Sequence, residues 1–298
     1  MPRSACKKIK LFVITIVLVS WHVRACSICQ CGDATLTTLG MEKPYAGRLR
    51  FSLENRFRTE RVGANTSQHD LIENKILLSG AFAPSPWLIL GVSQPVEWKR
   101  LSTPNGSTDE VYGIGDLTVH TRAFLWGNRE TRGRHLLGMM AGVRAPTAPR
   151  QRDASGQILN ADVQPGTGGW YPSAGAWQAY FNLPWMVYSS VMAQFSTKGW
   201  NGFKAGENIL VNSQAQYQLN DHWAFALALN TRWSRMDSEQ GVLDSNSGGF
   251  IAFVSPGVVT SFIKDLIFQI NVMVPAISNL NGEHHEGLEI RGGLTVDF

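Results

Sequence analysis

Side chains that alternate between apolar and polar with a period of two recur along almost the whole chain from residue 45 onward. No other feature of the sequence restricts the fold as much. In extended chain successive side chains point to opposite faces, so this period means strand. In RLRFSLENRFR, Arg48 to Arg58, one parity holds Leu49, Phe51, Leu53 and Phe57, with Asn55 as its one polar member. The other holds Arg48, Arg50, Glu54, Arg56 and Arg58. Twelve segments show such patterning or strand-like composition: Tyr45 to Arg58, Asp70 to Phe82, Trp87 to Trp98, Val111 to Trp126, Arg134 to Ala145, Trp170 to Asn182, Trp185 to Ser196, Asn208 to Leu219, His222 to Trp233, Phe250 to Val259, Leu266 to Val274 and Leu288 to Phe298. Each reaches the roughly 9 to 11 residues with which a tilted strand crosses a bilayer. Strands of soluble sandwiches run to about 5 or 6.

The connections alternate in length. Those after odd-numbered segments are long and polar, ERVGANTSQ and PTAPRQRDASGQILNADVQPGTGG among them. Those after even-numbered segments are mostly short, such as APSP, the break at Leu183 and Pro184, and NDH, with GNRETRG a longer exception. Long loops at one end and short turns at the other predict an all-β fold, a transmembrane up-and-down antiparallel β-barrel of about 12 strands with both termini on the periplasmic side.

The two faces agree with that architecture. Ile72, Ile76, Leu78 and Phe82 share a parity, as do Trp223, Phe225, Leu227 and Leu229, and Leu266, Phe268, Ile270, Val272 and Val274. Opposite them stand Glu73, Lys75 and Ser79, then Asn212, Gln214, Gln216 and Gln218, then Gln269 and Asn271. A polar parity in nearly every strand suits a wet lumen better than a dry core. Trp87, Trp98, Trp126, Trp170, Trp185, Trp223 and Trp233 fall at segment ends, where aromatic girdles meet the two membrane interfaces.

Residues 1–25 read as an export signal, with Arg3, Lys7, Lys8 and Lys10 ahead of the apolar run Leu11 to Trp21, and Val23 and Ala25 at the small-residue positions before a cut. Residues 26–44 form a cysteine-rich periplasmic leader, and 45–298 the barrel. The whole chain carries +4, but five of its 27 Lys and Arg and none of its 23 Asp and Glu lie in the signal, so the remainder is near neutral. That removes the electrostatic footprint of a nucleic-acid-binding protein. The expected location is the outer membrane of a Gram-negative cell, in contact with its lipid.

Four stretches carry a resemblance. SGAFAPSPWLILGVSQPV (Ser79 to Val96), YGIGDLTVHTRAFLW (Tyr112 to Trp126), GVRAPTAP (Gly142 to Pro149) and GTGGWYPSAGAWQAY (Gly166 to Tyr180) occur in the order seen in the phenol-degradation (meta-pathway) family of outer-membrane transporters, which this chain resembles. The resemblance implies a channel that passes small solutes, aromatic or apolar ones among them, and no enzyme activity. Its departure from that family is the leader CSICQCGD. The closing strand, with Leu288, Ile290, Leu294, Val296 and Phe298 on one parity, is similar to the signal by which the barrel-assembly machinery recognises its clients.

The candidate lumen lining is Arg48, Arg50, Glu54, Arg56, Arg58, Glu73, Lys75, Asp116, His120, Arg122, Glu289 and Arg291, with Asp297 beside them. These charges can select solutes or pair across neighbouring strands. Because the first and last strands are neighbours in a closed barrel, Arg48 to Arg58 can meet Glu289 and Asp297. Cys26, Cys29 and Cys31 give C-x-x-C-x-C, three soft ligands able to wrap Cu(I) or Zn(II). Lipidation of Cys26 or a disulfide competes with that reading. EHHE (Glu283 to Glu286) reads as a solvated loop, with cation binding as its alternative. Two other functional classes stay open. One is a barrel that handles copper or zinc or docks a periplasmic partner. The other is a hydrolase, which would need a serine such as Ser79 or Ser93 brought to His120 and Asp116.

Overall fold

The computed structural model describes residues 46–63, 68–104, 106–127, 134–152, 156–159, 161–263 and 265–298. The export signal and Cys26, Cys29 and Cys31 lie outside the described residues, as does Tyr45, where the first strand was expected to begin. The strands are β1 (Leu49–Val62), β2 (His69–Ser85), β3 (Leu88–Ser102), β4 (Thr108–Ile114), β5 (Thr118–Gly127), β6 (Arg134–Arg144), β7 (Tyr171–Asn182), β8 (Trp185–Gln194), β9 (Asn208–Gln218), β10 (Trp223–Ser234), β11 (Ser238–Glu239), β12 (Val242–Leu243), β13 (Gly249–Ile263), β14 (Leu266–Leu280) and β15 (His284–Asp297). Strands β11 and β12 make a small separate hairpin in the connection from β10 to β13. The rest pair antiparallel in chain order. β1 bonds both β2 and β15, and β4 and β5 share one path beside β3, so the sheet closes as a barrel of twelve staves.

Closure explains why such a chain can sit in hydrocarbon, since it pairs the first strand with the last and so removes the sheet edges over most of the wall. Among the described residues no helix is long and apolar enough to cross a membrane, so the strands do the crossing. Uninterrupted staves run from 10 to 17 residues. The outer parity is exposed and apolar: Phe51, Leu53, Leu78, Leu90, Val119, Phe225, Leu227, Phe268 and Ile270 all face outward. Trp87, Trp126, Trp170, Trp185, Trp223 and Trp233 are exposed with them near the strand ends. A soluble protein does not leave so continuous an apolar belt uncovered. The polar exception, Asn55, is satisfied on that face, its Nδ2 donating to Asn74 Oδ1 on β2 at 2.6 Å.

The expected stave Val111 to Trp126 is interrupted, and the cause is local. Pro95 on β3 has no N–H, so the ladder cannot continue through it. Gly115 N donates to Pro95 O at 2.9 Å, Gln94 Nε2 donates to Gly115 O at 2.8 Å, and Gly115 to Leu117 bulge between β4 and β5. The last three staves are taller than the sequence suggested, β13 and β14 reaching residues 263 and 280 and β15 starting at His284. EHHE is therefore not in a long loop. Asn281 and Gly282 form a tight turn, with Gly282 in the left-handed region at φ 61°, and His284 to Glu286 pair with Val62 to Glu60 on β1. Above Met273 and Glu289 the strands β14 and β15 part, the first following β13 and the second following β1.

Candidate functional site

The inward parity of β1, β2, β3 and β15 builds a ladder of alternating charge. Glu73, only 1% exposed, receives Arg58 at 2.9 Å, Lys75 at 3.4 Å and Lys99 at 3.9 Å. Lys75 and Lys99 also bind Glu97, at 2.8 and 3.2 Å, and Arg58 binds Glu60 at 3.1 Å. Across the seam Arg56 reaches Glu289 at 2.9 Å, and Arg291 binds the same carboxylate. Arg48 and Arg50 converge on Asp297. Glu54 is buried on this wall between them. The register makes the pairing possible, since Arg56 lies opposite Arg291 and Lys75, and Arg58 opposite Glu289 and Glu73. Burial of this many charges is tolerable only because each is paired.

The facing wall, from β8 to β10, is mostly uncharged and polar, with Arg232 of β10 as its one cation among the lining residues. Gln194, Asn208, Asn212 and Asn230 line it, and Asn208 Nδ2 donates to Gln194 Oε1 at 3.1 Å. Between the two walls lies a cavity of about 410 Å³. Its lining includes Glu54, Arg56, His120, Arg144, Tyr171, Arg232, Glu289 and Arg291, with Met140, Met192, Phe253 and Met273 as apolar members.

The connection from β6 to β7, expected as a plain polar loop, folds back over the loop end as a cap. Val163, fully buried, packs against Leu71, Leu101 and Val111. Gln164 ties the loop to itself through Gln151 N (2.8 Å) and Gln151 O (3.0 Å), and Lys99 Nζ donates to Gln164 O at 2.8 Å. Asp116 is spent on the same task, accepting from Ala148 N at 3.0 Å. Asp162 of this cap keeps an exposed side, yet desolvation by the packed loop raises its carboxyl above the ordinary value and the negative charge of Glu60 adds to the effect.

At the turn end the lumen is filled by side chains. Trp177, Tyr188, Met186, Leu136, Met140 and Met192 form one buried cluster, with Phe124 edge-on to Trp177 at 4.8 Å between centroids. Arg122, with no exposed surface, lies 5.7 Å from the Trp177 ring. Room for the indole exists because residue 138 is glycine, where a Cβ would meet Trp177 Cζ2 at 2.4 Å. Opposite, Gln216, Ala224, Ile267 and Thr295 are equally inaccessible.

The sequence placed Arg48, Arg50, Glu54, Arg56, Arg58, Glu73, Lys75, Asp116, His120, Arg122, Glu289 and Arg291 on one lining. The structure divides them into the ladder, the cap tether Asp116, and the interior residues His120 and Arg122. It adds Glu97, Lys99, Arg144, Tyr171, Trp177 and Arg232, which sequence reasoning missed, and Glu286, which the sequence had placed in a solvated loop. Their inward parity was readable, but who stands beside whom depends on register. Glu60, His284 and Glu286 bring ligand atoms within 4.8 Å of one another. Their carboxylates are already paired with Arg58 and Arg232, and two guanidinium ions oppose a divalent cation there. Nor do the described residues assemble a hydrolase triad. Ser79 bonds Ser93 at 2.8 Å, and neither ring nitrogen of His120 has a hydrogen-bond partner.

No family model and no curated protein sequence matches the chain. Among solved structures it is similar to an outer-membrane channel from Pseudomonas putida F1, with a TM-score of 0.68 at 15% identity over 86% of this chain and 97% of that one. It is also similar to the transport unit of the autotransporter AIDA-I from Escherichia coli, with a TM-score of 0.51 at 10% identity over 92% and 95%. What is shared is the fold: this chain is an outer-membrane β-barrel.

Proposed function

We propose that this outer-membrane barrel is a channel for small solutes that carry at least one polar group, seated with its turn end toward the periplasm. The observation that carries this reading is the cavity of about 410 Å³ set between a charged wall and an amide wall, a size in the range of small-molecule sites. A barrel kept only as a scaffold has no need of a polar chamber lined by residues from eleven of its twelve staves. Aromatic solutes are favoured by the resemblance of the four stretches above, and by the methionines and Phe253 in the lining. A wholly apolar solute is not, because it would have to strip water from the arginines and glutamates without replacing their hydrogen bonds.

The plug at Trp177 implies small flux at rest and a larger one when that cluster shifts. Liposome swelling and planar-bilayer conductance of the refolded chain test the proposal. Discrete conductance steps and uptake of small polar solutes are expected, and a silent bilayer with no swelling for any solute would remove the channel.

A further inference from the structure

We infer that Arg144, backed by Tyr171, is an anion-binding subsite of the lumen whose ligand is a small carboxylate with a flat apolar body, of the benzoate kind. The inference deepens the channel reading above and rests on it. Four arginines and three glutamates line the cavity, so the lining holds an excess of positive charge. Arg56 and Arg291 each bind Glu289, which they share, and Arg232 binds Glu286. Arg144 differs from all three. It makes no ion pair within 4 Å and no hydrogen bond with the described residues, and its Nε is buried without an acceptor.

Its one close partner is a ring: the guanidinium carbon lies 3.9 Å from the centroid of Tyr171. Asp116, the acid whose field it feels, is turned to the Ala148 amide and stands beyond ion-pair distance. Tyr171 is itself fixed, 4% exposed and bonded through its hydroxyl to Thr167 Oγ1 at 2.6 Å. Stacking on a fixed ring holds a guanidinium while leaving its N–H fork available, and a fork matches a carboxylate with two parallel bonds.

The neighbourhood matches the other end of such a ligand. On the adjoining strands Thr118 is the register partner of Arg144, and Ser173 lies two residues along from Tyr171. Both line the cavity, as do Met140 and Phe253, and methionine sulfur makes favourable contacts with aromatic rings. A molecule with a carboxylate at one end and a ring at the other can satisfy the fork and the apolar surface together. A neutral amide of the same shape satisfies only the second.

The test is equilibrium binding by calorimetry to the refolded full chain in detergent, with benzoate and benzamide as probes. Saturable benzoate binding is expected, with benzamide weaker. Arg144→Gln should raise the benzoate dissociation constant at least tenfold, with Arg144→Lys in between. Heat-modifiable migration on gels checks that each variant has folded, and Tyr171→Leu supplies a second variant expected to weaken benzoate. The inference is overturned if the folded wild type binds no benzoate, if benzamide binds as well as benzoate, or if Arg144→Gln binds benzoate unchanged. Swelling assays run separately: solute entry with benzoate indifferent to Arg144 keeps the channel and removes the subsite. Arg144-dependent binding without any solute entry does the reverse.

Discussion

Replacing Glu73 by glutamine isolates what the charge ladder contributes. Its contacts to Arg58, Lys75 and Lys99 at 2.9, 3.4 and 3.9 Å each represent about 4 to 6 kcal/mol of gross attraction at an effective dielectric constant of about 20. The net effect is far smaller, because each ion also loses several kcal/mol of hydration on burial, while breaking a buried pair typically costs about 3 to 5 kcal/mol. None of the three cations is left alone: Arg58 keeps Glu60, and both lysines keep Glu97. That second set of partners places the expected loss at the lower end, about 3 kcal/mol. Urea unfolding of the barrel in lipid vesicles measures it, with Asp70→Asn as the internal standard. Asp70 pairs with Arg61 at 2.8 Å while half-exposed, so its loss should cost no more than about 1 kcal/mol. Glu73→Gln also leaves one uncompensated positive charge on the lumen wall, so the reversal potential in a salt gradient should move toward anion selectivity. A stability loss no larger than that of Asp70→Asn, with an unmoved reversal potential, would refute the idea that this ladder is held by mutual neutralisation.

Trp177→Ala should destabilise the barrel by about 3 to 5 kcal/mol and raise single-channel conductance, since the indole fills the lumen over Gly138. Conductance equal to that of the unaltered chain would show that the constriction lies elsewhere. Leu53→Arg puts a charge on the outer face opposite Leu78 and Leu294, and refolding titrations in vesicles should report a loss of about 2 to 4 kcal/mol if that residue lies near the midplane. The Asp162 carboxyl is raised by desolvation in the surrounding cap and by the charge of Glu60 although the residue keeps an exposed side, so the folded cap favours its neutral form by a small margin. Stability therefore falls as pH rises through the raised value, and Asp162→Asn should flatten that slope in pH-dependent unfolding. We further propose that the leader holds a thiophilic metal. Elemental analysis of the purified mature chain should find copper or zinc that is lost when Cys26, Cys29 and Cys31 become serine, and a metal-free native chain carrying an acyl group or a disulfide would remove that proposal.

The barrel was legible because period two is a direct geometric consequence of extended chain, and lipid enforces it without exception for charge. Residues such as Phe51, Leu227 and Phe268 each announce their side of the wall. Height and neighbourhood were not legible in the same way. His284 and Glu286 look like loop residues because they are polar and follow Asn-Gly, yet Asn-Gly is itself the strongest short hairpin signal, and reading it as a turn would have extended β14 and β15 to their full length. The pairs Arg144 with Tyr171 and Trp177 with Gly138 join strands whose register no single segment encodes. The inward folding of the β6–β7 connection turns on Val163, with Leu159 packed beside it, in a run of mostly polar residues.

Arg48, just before β1, and Arg50 within it share a single acid, Asp297 at the end of β15. Phe298 then exchanges both main-chain bonds with Leu49 and sets its ring against Phe51. Until the final strand arrives, the first lacks the carboxylate on which both arginines converge. Completing the cylinder and delivering that shared carboxylate to the seam are one event, so closure of the wall is also the step that joins its charges.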